Sequence, residues 1–426
     1  MLGLLQRLVW GAVLCSVNVI AYASPQWVKP IDGLSVAEQQ RFWTGFSLFR
    51  SPWVAAPAST TGRDGLGPLF NARSCDACHH NGAQGDLPEH GFGAVIRLGH
   101  VDKMGGNNSS VYGEQLQPLS IDSVTGGKQI PPEVLWGVQW QPISLPLAGQ
   151  IYSLKKPVLN YTYWSHGAIS KSLPQSLRLA PSLFGLGELE ALSEAAIVAN
   201  EDIADRDGDG LSGKANRVLD RATGKLAVGR FGHKAEQPNL RQQIAAAFFQ
   251  DVGISSWLYP AQNCSVVQTQ CRARVNGNSE DENTEISREK LALVEDFSRW
   301  LKASSGGENK KMAGYQLFVG SGCDGCHRNF EAAAIRSDLL LHDMGEGLSD
   351  GRTVGQATAR EWRTMPLRGL GRKLQHTPVQ LLHDGRAGTL EEAILWHGGE
   401  AAKARQRYLQ LTPPNKKAFI QFLTTL

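Results

Sequence analysis

Cys-x-x-Cys-His occurs twice in this 426-residue chain, as Cys75-Asp76-Ala77-Cys78-His79 and Cys323-Asp324-Gly325-Cys326-His327, and no other feature restricts its fold so severely. Two thiols three positions apart on one turn of backbone can each bond a vinyl group on one edge of a porphyrin. The neighbouring imidazole then reaches the iron as proximal ligand. A lone motif of this kind also fits a redox dithiol or half a zinc site. Two copies, each with its His, point to a chain built around two covalently bound haem c groups, with His79 and His327 on the two irons.

The N-terminus agrees with that chemistry. Arg7 precedes an apolar run from Leu8 to Ile20, and Ala21-Tyr22-Ala23 follows as a small-x-small cleavage pattern. Residues 1–23 are therefore expected to be a signal peptide, cleaved near Ala23, with a periplasmic mature chain. The apolar run falls short of the ~20 residues that span a bilayer, so no membrane span is expected after processing. Of the seven cysteines, Cys15 leaves with the signal and four sit in the motifs. Cys264 and Cys271 remain, close enough to form a disulfide in an oxidising compartment. A net charge of +3, from 43 basic and 40 acidic residues, gives no electrostatic basis for binding nucleic acid.

The surroundings of the two motifs repeat. Gly45-Phe46-Ser47-Leu48-Phe49 precedes the first and Gly314-Tyr315-Gln316-Leu317-Phe318 the second, each reading as a short helix with a small residue at a close contact. Pro181-Ser182-Leu183-Phe184-Gly185-Leu186-Gly187 is echoed by Pro366-Leu367-Arg368-Gly369-Leu370-Gly371. Few runs alternate as strands do. The expected fold is mainly α, with two cytochrome c-like haem domains at 24–303 and 304–426, the first enlarged by insertions. The boundary is placed in Ala303-Ser304-Ser305-Gly306-Gly307.

Three strings give the chain a resemblance to the di-haem oxidoreductase family, related to bacterial di-haem cytochrome c peroxidases and sometimes labelled "thiol oxidoreductase". They are Gly62-Arg63-Asp64-Gly65-Leu66-Gly67-Pro68-Leu69-Phe70-Asn71, Leu341-His342-Asp343-Met344-Gly345-Glu346-Gly347-Leu348, and Leu382-His383-Asp384-Gly385-Arg386 followed by Thr389-Leu390-Glu391-Glu392-Ala393. Thr389 and Glu392 read as a capping box for a helix ending at His397, where Gly398-Gly399 stops it. Leu390, Ile394 and His397 share its buried face. In the peroxidase-like relatives this helix supplies the distal ligand of the C-terminal haem, which implies His397 here, with Met344 and Met365 as rivals and His342 and His383 as weaker ones. His383 is read instead as orienting a turn or a haem propionate.

The equivalent helix of the first repeat starts near Leu240 and carries Ala247 seven residues on, which cannot bind iron. The resemblance implies a mobile-loop ligand for the first haem. His90 is the nearest match, with His100 and Met104 as alternatives and His80 as an exposed neighbour. It also implies a Gln and a carboxylate for peroxide chemistry, matching Gln243 and, nearby, Asp251. His233 stands where the relatives place an aromatic bridging residue. Asp205-x-Asp207-x-Asp209-Gly210 has the oxygen-rich start of a calcium loop, although Asn216 replaces the usual twelfth-position acid.

Two functions compete. One is a peroxidase-like oxidoreductase with one electron-transfer haem and one open to substrate, taking electrons from a small redox protein or a quinol-linked donor and passing them to a small-molecule oxidant such as peroxide. The other is an electron-transfer cytochrome with both haems six-coordinate and no substrate of its own.

Overall fold

A computed structural model describes residues 27–87, 93–109, 111–127, 129–278, 282–303, 310–330, 333–375 and 378–426. The expected signal peptide, His90 and residues 304–307 of the expected boundary lie outside these ranges.

Two helix pairs position the two motifs. The helix Val36–Arg50 begins at a capping box in which Ser35 bonds the Glu38 backbone and Glu38 reaches back. It buries Phe42, Phe46 and Phe49 against Phe297 of the helix Arg288–Trp300. The backbones approach so closely that a Cβ on Gly45 would sit 2.0 Å from the Leu293 carbonyl oxygen. The arrangement recurs between the helices Ala313–Gly320 and Pro413–Leu423, where a Cβ on Gly314 would sit 2.1 Å from the Ala418 carbonyl oxygen. Phe318, Phe419 and Phe422 fill that contact. The echoed Gly187 and Gly371 press on the last turns of the partner helices in the same way, 2.1 Å from Arg299 O and 2.2 Å from Thr424 O for an added Cβ. The repeat read from the sequence is thus a repeat of close backbone contacts.

The expectation of a mainly α fold with two cytochrome c-like haem domains is not met. Helix makes up 31% and strand 19%, and among the described residues the strands form five two-stranded antiparallel sheets. Two separate haem domains are not evident. The largest hydrophobic cluster runs from Trp53 through Leu240 and Phe248 to Ile335, Leu339 and Leu340, mixing the two halves. The longest strands, Val134–Leu147 and Gln150–Trp164, make one hairpin around Ala148-Gly149. Its base packs Trp136, Trp140 and Tyr161 on the cluster of Ile96, Leu98 and Leu177, while its tip packs Ile143, Leu145, Tyr152 and Leu154 on the C-terminal cluster of Trp396, Tyr408 and Phe419. No helix among the described residues is long and apolar enough to cross a membrane.

Lys234 ties the halves together. It is fully buried, and its ammonium donates to the carbonyls of Thr358 (2.7 Å), Glu361 (3.0 Å) and Ala359 (3.2 Å) and meets Asp350 at 3.2 Å. A buried ammonium is tolerated only with such a complete set of acceptors.

Candidate functional site

Both motifs open on one cavity of about 890 Å³. Cys75 and Cys323 each start a single 3-10 turn, and the backbone N–H groups of Cys78 and His79 donate to Cys75 O as that of His327 does to Cys323 O. This winding turns both thiols and the imidazole of each motif into the cavity wall. Cys75, Cys78, Cys323 and Cys326 are unpaired, whereas Cys264 and Cys271 are joined as a disulfide. Burial pushes the thiols of Cys75 and Cys323 up to about 12, and that of Cys78 upward as well, so they stand as neutral thiols.

His327 donates from Nδ1 to Arg336 O at 3.1 Å, which leaves Nε2 as its free lone pair. His397, the C-cap of the helix Leu390–Trp396, donates from Nδ1 to Ala393 O at 2.7 Å and frees Nε2 likewise. Leu390, Ile394 and His397 all line the cavity, as expected of one helix face. Burial first, and the charge of the nearby His397 next, lower the His327 pKa to about 4. The helix start differs in one detail from the expected capping box. Thr389 accepts from Glu392 N at 3.1 Å, but the Glu392 carboxylate takes the Gly388 N–H at 2.7 Å rather than that of Thr389.

The first motif faces a different wall. Asn239 caps the helix Leu240–Ala247, which continues as a wider turn over Phe248–Val252. Gln243, Ala247 and Asp251, four residues apart in succession, all line the cavity. Asp251 accepts from Gln115 Nε2 at 2.7 Å. Burial raises its pKa, against the pull of Arg97 and Gln115. Its charge acts on His79, Cys75 and Cys78, so the carboxylate stands near the motif. His79 Nδ1 is buried without a hydrogen bond of normal geometry, although the Pro181 and Ala83 backbones lie close enough to favour its protonated form.

Several rivals are placed elsewhere. His342 has both ring nitrogens on carboxylates, Asp338 at 2.9 Å and Glu400 at 2.7 Å, and neither is left for iron. This also disqualifies the cluster of Cys326, Asp338 and His342 as a metal site, although their ligand atoms lie within 4.8 Å of one another. His100 accepts from Thr353 in a separate surface hollow, Met104 is exposed, and His80 pairs with Asp76 at 3.4 Å. Met344, Met365 and His383 do line the cavity. Met365 takes a hydrogen bond from Arg363 at 3.4 Å, and His383 stacks on Trp362 with ring centres 3.8 Å apart. His233 also faces the cavity, donating from Nε2 to Leu179 O at 2.9 Å, edge-on to Trp362. The carboxylate oxygens of Asp205, Asp207 and Asp209 cluster within 4.8 Å. Asn216 takes no part in that group, because its amide is spent on Lys234 O, Val354 O and Gln356 N. Sequence reasoning missed Gln115, Trp362, Arg178, Arg363 and Lys373, which carry no motif of their own.

The residues present fit haem. Four free thiols, two imidazoles with a free Nε2 lining one cavity, and the large apolar wall of that cavity common to both motifs form a suitable donor set. No curated protein matches the chain in sequence. Among solved structures, Kuenenia stuttgartiensis hydrazine synthase, pressurized with 20 bar xenon, is similar at 13% identity and a TM-score of 0.34, with 100% of both chains covered. A family model described as "Di-haem oxidoreductase, putative peroxidase" matches residues 19–103, 168–329 and 322–426, passing over the stretch that holds the long hairpin. With both motifs and the whole cavity wall described above inside or beside the matched segments, the chain belongs to the di-haem oxidoreductase family.

Proposed function

We propose that this chain is an exported, periplasmic c-type di-haem enzyme that reduces peroxide. In this reading Cys75 and Cys78 bind one haem and Cys323 and Cys326 the other through thioethers, with His79 and His327 as proximal ligands. The observation that carries it is an asymmetry between two helices that start alike. The eighth residue after the cap Thr389 is His397, which lines the same cavity as His327, whereas the eighth after the cap Asn239 is Ala247. One iron would thus be held on both faces and serve electron transfer, while the other stays open to a small oxidant. Bound haem supplies a redox iron at each motif, one storing the second reducing equivalent.

The remaining work belongs to side chains. Reduction of hydrogen peroxide takes up two electrons and two protons and yields two waters. The departing oxygen must gain a proton as the O–O bond breaks. Asp251 is suited to hold that proton, because burial raises its pKa and Gln115 fixes one carboxylate oxygen. Gln243, two turns before Asp251 on the same cavity face, offers an amide to orient the peroxide. Electrons would come from a small redox protein or a quinol-linked donor. Asp205, Asp207 and Asp209 form the loop proposed to take calcium, close to the cavity rim where Asp209 and Leu211 line it.

The test is stopped-flow mixing of half-reduced holoprotein with peroxide. Wild type should show a spectral change at the His79 haem within seconds, and Asp251→Asn or Gln243→Ala should slow it by at least tenfold with both haems retained. Two low-spin haems and no reaction would instead support a pure electron carrier.

A further inference from the structure

Three cations line the cavity wall with fewer counter-charges than burial normally demands: Arg178 has one shared carboxylate, and Arg363 and Lys373 have no ion pair among the described residues. Arg363 is buried, and its hydrogen bonds go to Gly232 O (2.9 Å), Thr364 O (3.4 Å) and Met365 Sδ (3.4 Å), none of them charged. Arg178 is 4% exposed and spends Nη2 on Asp350 at 2.7 Å, while its Nε and Nη1 are buried with no acceptor. Lys373, on the short helix Leu370–Lys373, has no hydrogen-bond or ion-pair partner among the described residues. All three line the cavity, and all three stand close enough to His233, which also lines it, for their charges to act on its ring. His233 adds no compensating charge. Burial first, and these cations next, depress its pKa to about 3 and keep it neutral.

The carboxylates nearby do not balance the group. Asp350 is shared between Arg178 and Lys234. Glu236 acts on Arg178 and Arg363 through space, with no ion pair to either. Asp338 is taken by His342. An uncompensated buried guanidinium costs several kcal/mol. Burial accordingly lowers the pKa of Arg363 to about 10 and of Lys373 to about 8. A planar anion entering the cavity would find two forked guanidinium groups and an ammonium already oriented.

We propose that Arg178, Arg363 and Lys373 form a carboxylate cradle that binds propionate groups of the haem held in this cavity. This rests on the haem reading above and adds what the reading lacked, the partner of the anionic edge of the cofactor. The cysteines fix the vinyl edge, so the opposite, carboxylate-bearing edge must end against other residues. The cradle also sets a redox property. Cations beside the propionates favour the reduced iron, which carries one positive charge fewer, and they keep the propionates ionised.

The experiment uses holoprotein carrying Lys373→Gln, Arg363→Gln or both, read by mass, spectroelectrochemistry from pH 5 to 8 and resonance Raman. Lys373 has no hydrogen-bond or ion-pair partner among the described residues, so its neutralisation leaves their bonds intact even if the Arg363 variant fails to fold. The expected result is full haem loading, shifted propionate-bending bands, and a lowered potential at one haem. The reduced-to-oxidised ratio at fixed potential should fall about tenfold, ~59 mV for one electron. The potential should also become pH-dependent, and Lys373→Arg should restore wild-type behaviour. Haem-loaded variants with unmoved Raman bands and potentials would overturn the cradle and leave the haem reading intact. Wild type without haem would overturn both. A nitrite- or formate-induced shift in wild type that is lost in Lys373→Gln, with Raman bands unmoved, would overturn the propionate assignment in favour of a free-anion site.

Discussion

Placing a histidine at position 247 should close the first site. Ala247 and His397 occupy the same place on two capped helices, and Ala247 borders the cavity together with Gln243 and Asp251. The new imidazole would enter open space rather than packed core, so Ala247→His should change stability by no more than about 1 kcal/mol. Ligation must overcome about 1 kcal/mol of side-chain ordering. A net preference of about 2.7 kcal/mol for the bound arrangement leaves ~1% of molecules open, and the rate of peroxide reaction falls ~100-fold in proportion. The assay is stopped-flow of the half-reduced variant with peroxide, alongside its electron paramagnetic resonance spectrum. The His79 haem should turn fully low-spin while the His327 haem is unchanged. A high-spin signal that persists, with a peroxide rate within threefold of wild type, would refute the claim that this helix position decides which iron is open.

The reciprocal change, His397→Ala, should keep the second haem attached through Cys323 and Cys326 but convert it to high spin or to Met344 or Met365 ligation, visible in its absorption spectrum. Gly314→Ala should lower stability by about 1–3 kcal/mol in urea titration, because its Cβ would meet the Ala418 carbonyl at 2.1 Å. Glu133→Gln should flatten the alkaline side of the stability profile. Burial holds the Glu133 carboxyl protonated up to about 8 in the folded chain, against 4.5 for the free group, so the folded state binds the extra proton and wild type loses stability as pH rises from 4.5 through about 8. Calcium should raise the melting temperature of the holoprotein, and Asp207→Asn should abolish that rise.

The chemistry was more legible than the architecture. Cys-x-x-Cys-His, the paired glycines and the cap-to-His397 spacing are local patterns, and a local pattern survives any global arrangement. The long hairpin was harder to see because Pro142, Pro146 and Pro157 read as strand breakers. In a two-stranded ribbon each strand keeps a free edge, where a missing N–H costs nothing, and these prolines pair in register with Lys155, Ile151 and Trp140. The mainly α expectation failed there, and again in the large cluster that joins Trp53 to Leu340. Arg178, Arg363 and Lys373 come from two different sheets and a helix, nearly two hundred positions apart at the extreme, so only the folded chain reveals that they meet. His342, a weaker rival for the second iron in the sequence reading, lies in a promising string, but its ring is consumed by two carboxylates.

The hairpin has a consequence for the order of assembly. Its base is rooted in the cluster of Ile96 and Leu177, and its tip is docked beside Trp396 and Tyr408, one residue and eleven residues from the cavity-lining His397. A clasp anchored at both ends holds the wall of the C-terminal motif against the rest of the chain. The proposed covalent attachment needs the thiols of Cys323 and Cys326 within reach of the attaching machinery, and in the folded chain they line the cavity. On the proposed reading, tip docking would follow attachment. A chain cut at Ala148-Gly149 should accept its cofactors normally and then release them to solvent exchange and bleaching far sooner than the intact one.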